Sequence, residues 1–176
     1  MSVTGWQALP RTPICQNISS DMIIPASSAD FVELIGSRAP APWRLVEDSV
    51  ISPPEVLKML SDLADSIRAN FDPAAWLIVQ DDEIVGLLSL VRPVIDGELC
   101  IGYGVAPTRQ GRGVTKSAVA SLVDWARSDA RVDRVIAETS PTNIASQRVL
   151  ECNSFVTVGT RTDDEDGDLL IWRVET

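Results

Sequence analysis

A glycine-rich turn, Gln110-Gly-Arg-Gly-Val-Thr115, follows an apolar segment that ends at Val105-Ala106-Pro107 and precedes a helical pattern. Gly111 and Gly113 remove side chains where backbone N–H groups would need to face an anion, and the helix that follows supplies the positive end of its dipole. Arg109 and Arg112 add formal charge beside the turn. Such a turn suits a phosphate group, although a short Gly-x-Gly alone is equally an ordinary tight strand-to-helix connection. A P-loop NTPase is disfavoured, because Gly111 to Lys116 lacks the Gly-Lys-Ser/Thr ending that grips phosphate and magnesium. The chain contains no histidine, which removes the commonest general base and the main transition-metal ligand. Acid–base chemistry is left to carboxylates, Tyr103, thiols, lysine or water.

The bulk composition agrees with a globular enzyme-sized unit. The 176 residues, 45% of them hydrophobic, suit one domain over residues 1–176 with a sizeable core. A net charge of −10 opposes non-specific binding to nucleic acid or to an anionic membrane, both of which need a clustered basic surface. Cys15, Cys100 and Cys152 are an odd count without close pairs, so neither a disulfide framework nor a zinc cluster is indicated and no metal is expected. Neither a leader-like N-terminus nor an apolar run of about 18 residues is evident, and a cytoplasmic setting is expected.

Periodicity arranges the elements that must carry these residues. A weakly marked first strand lies before Pro25, followed by a helix capped by Ser27 or Ser28 and stopped by Gly36. Trp43 to Ile51 reads as a linker, and Pro53-Pro54 opens a helix with Val56, Leu57, Leu60, Leu63, Ala64 and Ile67 on one face. Ala75–Gln80 and Ile84–Val91 read as an antiparallel hairpin. Glu98–Ala106 is the strand before the glycine turn, and Ser117–Ala130 the helix after it. Val132–Thr139 is a strand that the intervening helix makes parallel to Glu98–Ala106. Asn143 then caps a helix running to Leu150, with Ser146 as the third residue after the cap. Phe155–Val158 and Leu169–Val174 close the chain as a hairpin around Asp163-Asp-Glu-Asp-Gly167, a solvated turn that lacks the spacing of a calcium loop.

Taken together, the order of elements and two motifs resemble the GNAT acyl-CoA-dependent N-acyltransferases, in their RimJ/RimL-like branch. The first motif is Gln110-Gly-Arg-Gly-Val-Thr115, and the second is Asn143-Ile-Ala-Ser146 with Val149, Leu150 and Glu151. The resemblance spans about Trp76 to Trp172. It implies a mixed, mostly antiparallel sheet of about seven strands, flanked by about four helices, whose parallel fourth and fifth strands splay apart around the cofactor arm. Acetyl-CoA is the implied cosubstrate. Val105 would meet the pantetheine amides, and Gln110, Gly111, Arg112, Gly113, Val114 and Thr115 the pyrophosphate, with Arg109 beside them. Asn143 would contact the cofactor arm, and Ser146 would lie near the departing thiolate; both roles stand beside simple helix capping.

Where relatives often carry a glutamate before Ile-Gly-Tyr, this chain has Cys100, so the resemblance leaves Glu98 and Glu138 as the candidate bases, each also readable as a surface carboxylate. Thr115 and Ser154-Phe155 are further departures, from Gly/Ala and Gly-Phe respectively. The implied activity is acetyl transfer to a primary amine, on a protein N-terminus or a small molecule, by direct attack. A non-catalytic acyl-CoA sensor with the same fold is the alternative. The acceptor itself and a homodimer are left open.

Overall fold

The computed structural model describes residues 22–47 and 50–176. Cys15 and the part of the first-strand expectation that precedes Met22 lie outside the described residues. The elements are β1 (Met22–Pro25), α1 (Ser28–Ile35), β2 (Arg44–Leu45), α2 (Pro54–Arg68), β3 (Ala75–Gln80), β4 (Glu83–Leu90), β5 (Glu98–Val105), α3 (Val114–Ser128), β6 (Arg134–Thr139), α4 (Ile144–Cys152), β7 (Val156–Asp163) and β8 (Gly167–Glu175). Eight strands form one sheet in the order β1-β3-β4-β5-β6-β8-β7, with β2 beside the start of β4. All neighbours are antiparallel except β5 with β6 and β2 with β4. The expected mixed sheet is therefore present, and its additional strand is β2, inside the stretch read as a linker.

Local chemistry explains where the helices start. Ser27 caps α1 in a reciprocal box: its hydroxyl accepts from the Asp30 N–H, while the Asp30 carboxylate accepts from the Ser27 N–H at 2.7 Å. Pro54 occupies the first turn of α2, where a missing N–H costs nothing. Helix α3 begins at Val114, three residues before the apolar pattern suggested, because Gly113 turns the chain directly into it with φ at +82°.

Helices cover both faces of the sheet. Alternation along the strands puts Trp76, Leu88, Ile101, Tyr103 and Val105 on the α3 side, where Trp125 of α3 meets Trp76 edge-on with ring centroids 5.0 Å apart. Leu87, Ser89, Gly102 and Gly104 face the side of α2. Burial of about a hundred square ångströms of apolar surface is worth roughly 2.5 kcal/mol, so side chains such as Trp76, Leu88, Leu99 and Leu122, all under 2% exposed, hold α3 against the sheet.

The end of one ladder opens the sheet. The parallel ladder between β5 and β6 runs from Glu98↔Arg134 to Ile101↔Ala137 and stops there. Beyond it, Gly102 to Val105 stay with β4, opposite Ser89 to Gly86, while Glu138 and Thr139 stay with β8, opposite Ile171 and Leu170. The Trp172 indole N–H fastens β8 to β6 by donating to Thr139 Oγ1 at 2.9 Å in the buried core. Each strand follows its outer neighbour, and the two part.

Candidate functional site

The parting of β5 and β6 leaves one edge of β5 without a strand partner among the described residues. Val91 N–H donates to the Cys100 carbonyl and Ala106 N–H to the Val85 carbonyl. By the alternation of an antiparallel ladder, Cys100, Gly102, Gly104 and Ala106 turn their backbone groups to β4, so Tyr103 and Val105 turn theirs into the opening. The Val105 carbonyl is reached there by the Gln110 side-chain amide, at 3.5 Å.

A cavity of about 530 Å³ fills the opening. Its walls bring together Val105, Arg109, Gln110, Gly111, Gly113, Val114, Thr115, Asn143 and Ser146. Sequence reasoning gave no site role to Lys116 or Arg148, exposed cations on the first turn of α3 and on α4, which line the same cavity together with Gly104 and Val149. The helical spacing of Ala145 and Val149, four apart on the helix that Asn143 begins, was the available signal for the α4 wall. Arg112 is exposed and lies outside the lining.

At the glycine turn, Gly111 and Gly113 have φ of +70° and +82°. A Cβ at either would meet nothing within 4 Å, so these glycines are required by backbone conformation and not by crowding. Gly113 is the N-cap of α3 and supplies no side-chain hydrogen bond to the first turn. The first-turn amides of Val114, Thr115 and Lys116 thus lack the protein acceptor that Ser27 gives α1, and they stand at the wall of the cavity. A diphosphate fits this end by its chemistry. Arg109 is less available than its type suggests, since its guanidinium holds Glu83 Oε2 at 3.1 Å.

Asn143 has taken the capping role. Its Oδ1 accepts from Ser146 N–H at 3.1 Å, and its side-chain amide nitrogen is a further donor on a residue that lines the cavity. Tyr103 spans the opening, and its hydroxyl donates to the Ser146 carbonyl at 3.3 Å. Burial pushes the Tyr103 hydroxyl up to about 12, so it keeps its proton at neutral pH.

Glu98 and Glu138 sit elsewhere. With Cys100 they belong to the face of the sheet that α2 covers, and neither lines the cavity. Arginines hold both: Arg92 reaches Glu98 at 2.8 Å and Glu138 at 3.4 Å, Arg134 reaches Glu98 at 3.3 Å, and Arg161 reaches Glu138 at 2.6 Å. Arg161 also binds Asp163 at 2.6 Å, so the charges alternate from Arg134 to Asp163 across β5, β6 and β7. The Arg161 hydrogen bonds lower the Glu138 carboxyl below its ordinary range, against a smaller opposing effect of burial. Desolvation pushes the Cys100 thiol up to about 11, which makes it a neutral core residue.

Comparison with known proteins matches this arrangement. Residues 22–156 match the acetyltransferase (GNAT) domain family. The probable N-acetyltransferase YjcK of Bacillus subtilis (strain 168) is 36% identical over 78 residues, which cover 43% of this chain and 42% of that relative. The chain thus aligns with less than half the length of this curated relative. Among solved structures, RimL, a ribosomal-protein alpha-N acetyltransferase in complex with coenzyme A, superposes with a TM-score of 0.70 at 16% identity, covering 93% of this chain and 98% of that one. Mycobacterium smegmatis RimJ in complex with CoA-disulfide gives 0.64 at 21% identity, covering 94% and 86%. At these identities the structures speak for the fold. The family match is broader, and because it covers well over half of the chain and runs from β1 through the helix that Asn143 caps, the protein belongs to the GNAT acetyltransferase family.

Proposed function

We propose that the protein transfers the acetyl group of acetyl-CoA to a primary amine by direct attack. The single observation that carries this reading is the cavity of about 530 Å³ that joins an unpaired strand edge, a glycine-turned helix N-terminus and the Asn143–Ser146 helix start. The Tyr103 and Val105 backbone groups would pair with the pantetheine amides. The amides from Gln110 to Thr115 would receive the pyrophosphate, with Lys116, Arg148 and the half-committed Arg109 adding positive charge and Arg112 screening from outside. Asn143 Nδ2 would steady the cofactor arm. Ser146 would present its hydroxyl to the sulfur.

In the reaction the amine lone pair forms a bond to the thioester carbonyl carbon, the carbon–sulfur bond breaks, one proton leaves the nitrogen and one ends on the thiol. Glu98 and Glu138, the two carboxylates considered as bases, already serve arginines, and Glu138, which Arg161 stabilises in its ionised form, is a weaker base for it. Their role in this reading is to hold β5, β6 and β7 together beside the opening, with the amine proton passing to water.

Calorimetric titration with acetyl-CoA and with CoA tests the reading. Micromolar to submillimolar binding is the expected result, accompanied by thiol release when an amine is added. Absence of binding at millimolar ligand overturns it.

A further inference from the structure

A second, smaller cavity, of about 240 Å³, lies between α2 and the β4–β5 pair. It shares two residues with the first, Tyr103 and Gly104. Both belong to the stretch of β5 that has lost β6, so the two spaces meet where the sheet opens. Gly104 leaves this junction clear: a Cβ there would meet nothing within 4 Å. The chemistry of the two walls differs. Arg109, Lys116 and Arg148 line the larger cavity, whereas among the described residues no acidic or basic side chain lines the smaller. Its walls are Ile51, Val56 and Leu60 on the α2 side with Leu87 and Val91 on the β4 side, and the polar side chains are two serines, Ser52 and Ser89, and Tyr103.

This division follows from the sheet. Leu87 and Ser89 stand opposite Gly104 and Gly102, so the glycines create the space and β4 supplies the apolar floor. Val56 and Leu60 are one helical turn apart on α2 and close the other side. An ammonium group entering such a space would lose hydration without gaining a carboxylate from the described lining, and a methylene group would gain apolar contact. The acidic groups that β5 and β6 place on this face of the sheet, Glu98 and Glu138, are bound by Arg92, Arg134 and Arg161.

We propose that the acceptor is a primary amine whose α-carbon carries a small, uncharged, apolar group, seated between α2 and β4, with Val56, Leu60 and Leu87 setting its size. The assignment rests on the acetyltransfer reading above. A second cationic group on the acceptor is selected against, in spite of the chain's overall charge of −10. The amine nitrogen sits at the Gly104 junction, facing the thioester.

The test measures kcat/KM by thiol release at saturating acetyl-CoA for alaninamide, valinamide, norleucinamide, lysinamide, spermidine and a tetrapeptide amide beginning with valine. Norleucinamide and lysinamide are of similar length and differ in the terminal charge. A preference of about tenfold or more for the uncharged member is expected, and an equal or better rate with lysinamide or spermidine overturns the proposal. In Val56→Phe the rate with norleucinamide should fall at least about tenfold further than that with alaninamide, while the acetyl-CoA dissociation constant is unchanged. Val56→Ala should shift preference towards the larger group, which keeps the test decisive if the phenylalanine variant does not fold. Unaltered ordering in a folded variant overturns the assignment. The tetrapeptide and valinamide arms separate a peptide terminus from a free small amine as the source of the same chemistry. Binding of acetyl-CoA with no turnover of any uncharged amine sinks the acceptor assignment alone. No binding of acetyl-CoA sinks the reading beneath it.

Discussion

The two ends of strand β5 carry opposite kinds of chemistry. Its first half, around Glu98 and Cys100, is rich in formal charge, and nearly all of that charge is spent on neighbours: Glu98 has Arg92 and Arg134, and Glu138 beside it has Arg92 and Arg161. Its second half, Gly102 to Val105, carries no charge, and the Tyr103 and Val105 backbone groups face an opening. The half that looks reactive by residue type is the one whose groups are satisfied. The half that looks inert turns main-chain groups to the opening, where only the Val105 carbonyl is met, by the Gln110 side-chain amide at 3.5 Å. Availability, and not residue type, distinguishes them.

The largest effect expected from this contrast comes from closing the inert half. Gly104→Val places methyl groups in open space, so thermal melting should show a fold at least as stable as wild type, while thiol release falls by about a hundredfold or more because the reacting atoms are displaced. Full activity in this variant would break the comparison. Gly86, across the ladder, provides the control: a Cβ there would lie 2.3 Å from the Gly104 carbonyl oxygen, and Gly86→Ala should destabilise the sheet itself.

Next in size is the glycine turn. At φ +82°, Gly113→Val imposes a left-handed conformation that costs about 1–2 kcal/mol, and escape from it turns the first amides of α3 away from the cavity. Acetyl-CoA affinity measured by calorimetry should drop by about tenfold, the equivalent of about 1.4 kcal/mol.

The charged half should respond in stability more than in rate. Glu138→Gln leaves Arg161 with Asp163 alone and Arg92 with Glu98 alone, and a loss of about 1 kcal/mol is expected in denaturant melts at pH 7. Because the folded Glu138 carboxyl titrates below its ordinary 4.5, its contribution is complete above that pH and is lost as pH falls through the lowered value. The difference between wild type and Glu138→Gln should therefore shrink on acidification. Thiol release at pH 7 should change by less than about tenfold; a loss approaching the 10²–10⁴-fold contribution of a general base would reverse the assignment.

Smallest is Tyr103→Phe. It removes one hydrogen bond to the Ser146 carbonyl, worth about 0.5–1.5 kcal/mol. With the hydroxyl pushed up to about 12, the rate profile should keep its shape between pH 6 and about pH 10. A new inflection in that range would make Tyr103 a proton donor in the reaction.

Much of this was legible from residue types because it depended on local rules. Ser27 and Asn143 announce helix starts by side-chain acceptors three residues ahead of the amides they bind, and both caps are present. The glycine turn could be read because a positive φ at 111 and 113 leaves few alternatives to glycine. Strand β2 was not readable, since a parallel contact as short as Arg44↔Glu83 and Leu45↔Ile84 leaves no periodic pattern. The partners of Glu98 and Glu138 were equally hidden: Arg92, Arg134 and Arg161 lie up to 46 residues away in the chain, and only the sheet order brings them to one face. The same holds for Arg109, whose partner Glu83 is 26 positions upstream. The apolar cavity under α2 was invisible because Val56 and Leu60 carry the same helical spacing as core residues. Which side of α2 meets a space, and which meets the core, is settled only by the glycines opposite.

The parting of β5 from β6 puts an edge in the middle of a sheet. Amide hydrogens of central strands ordinarily exchange with solvent deuterium only when a large part of the fold opens. Those of Tyr103 and Val105 should exchange early in the free protein, although Leu99 and Ile101 on the same strand, paired to β6, should exchange late. A ligand lying along this edge takes the place of the missing strand. Slowing of those two amides on its addition, together with a higher melting temperature, would show that the sheet is completed by what it binds.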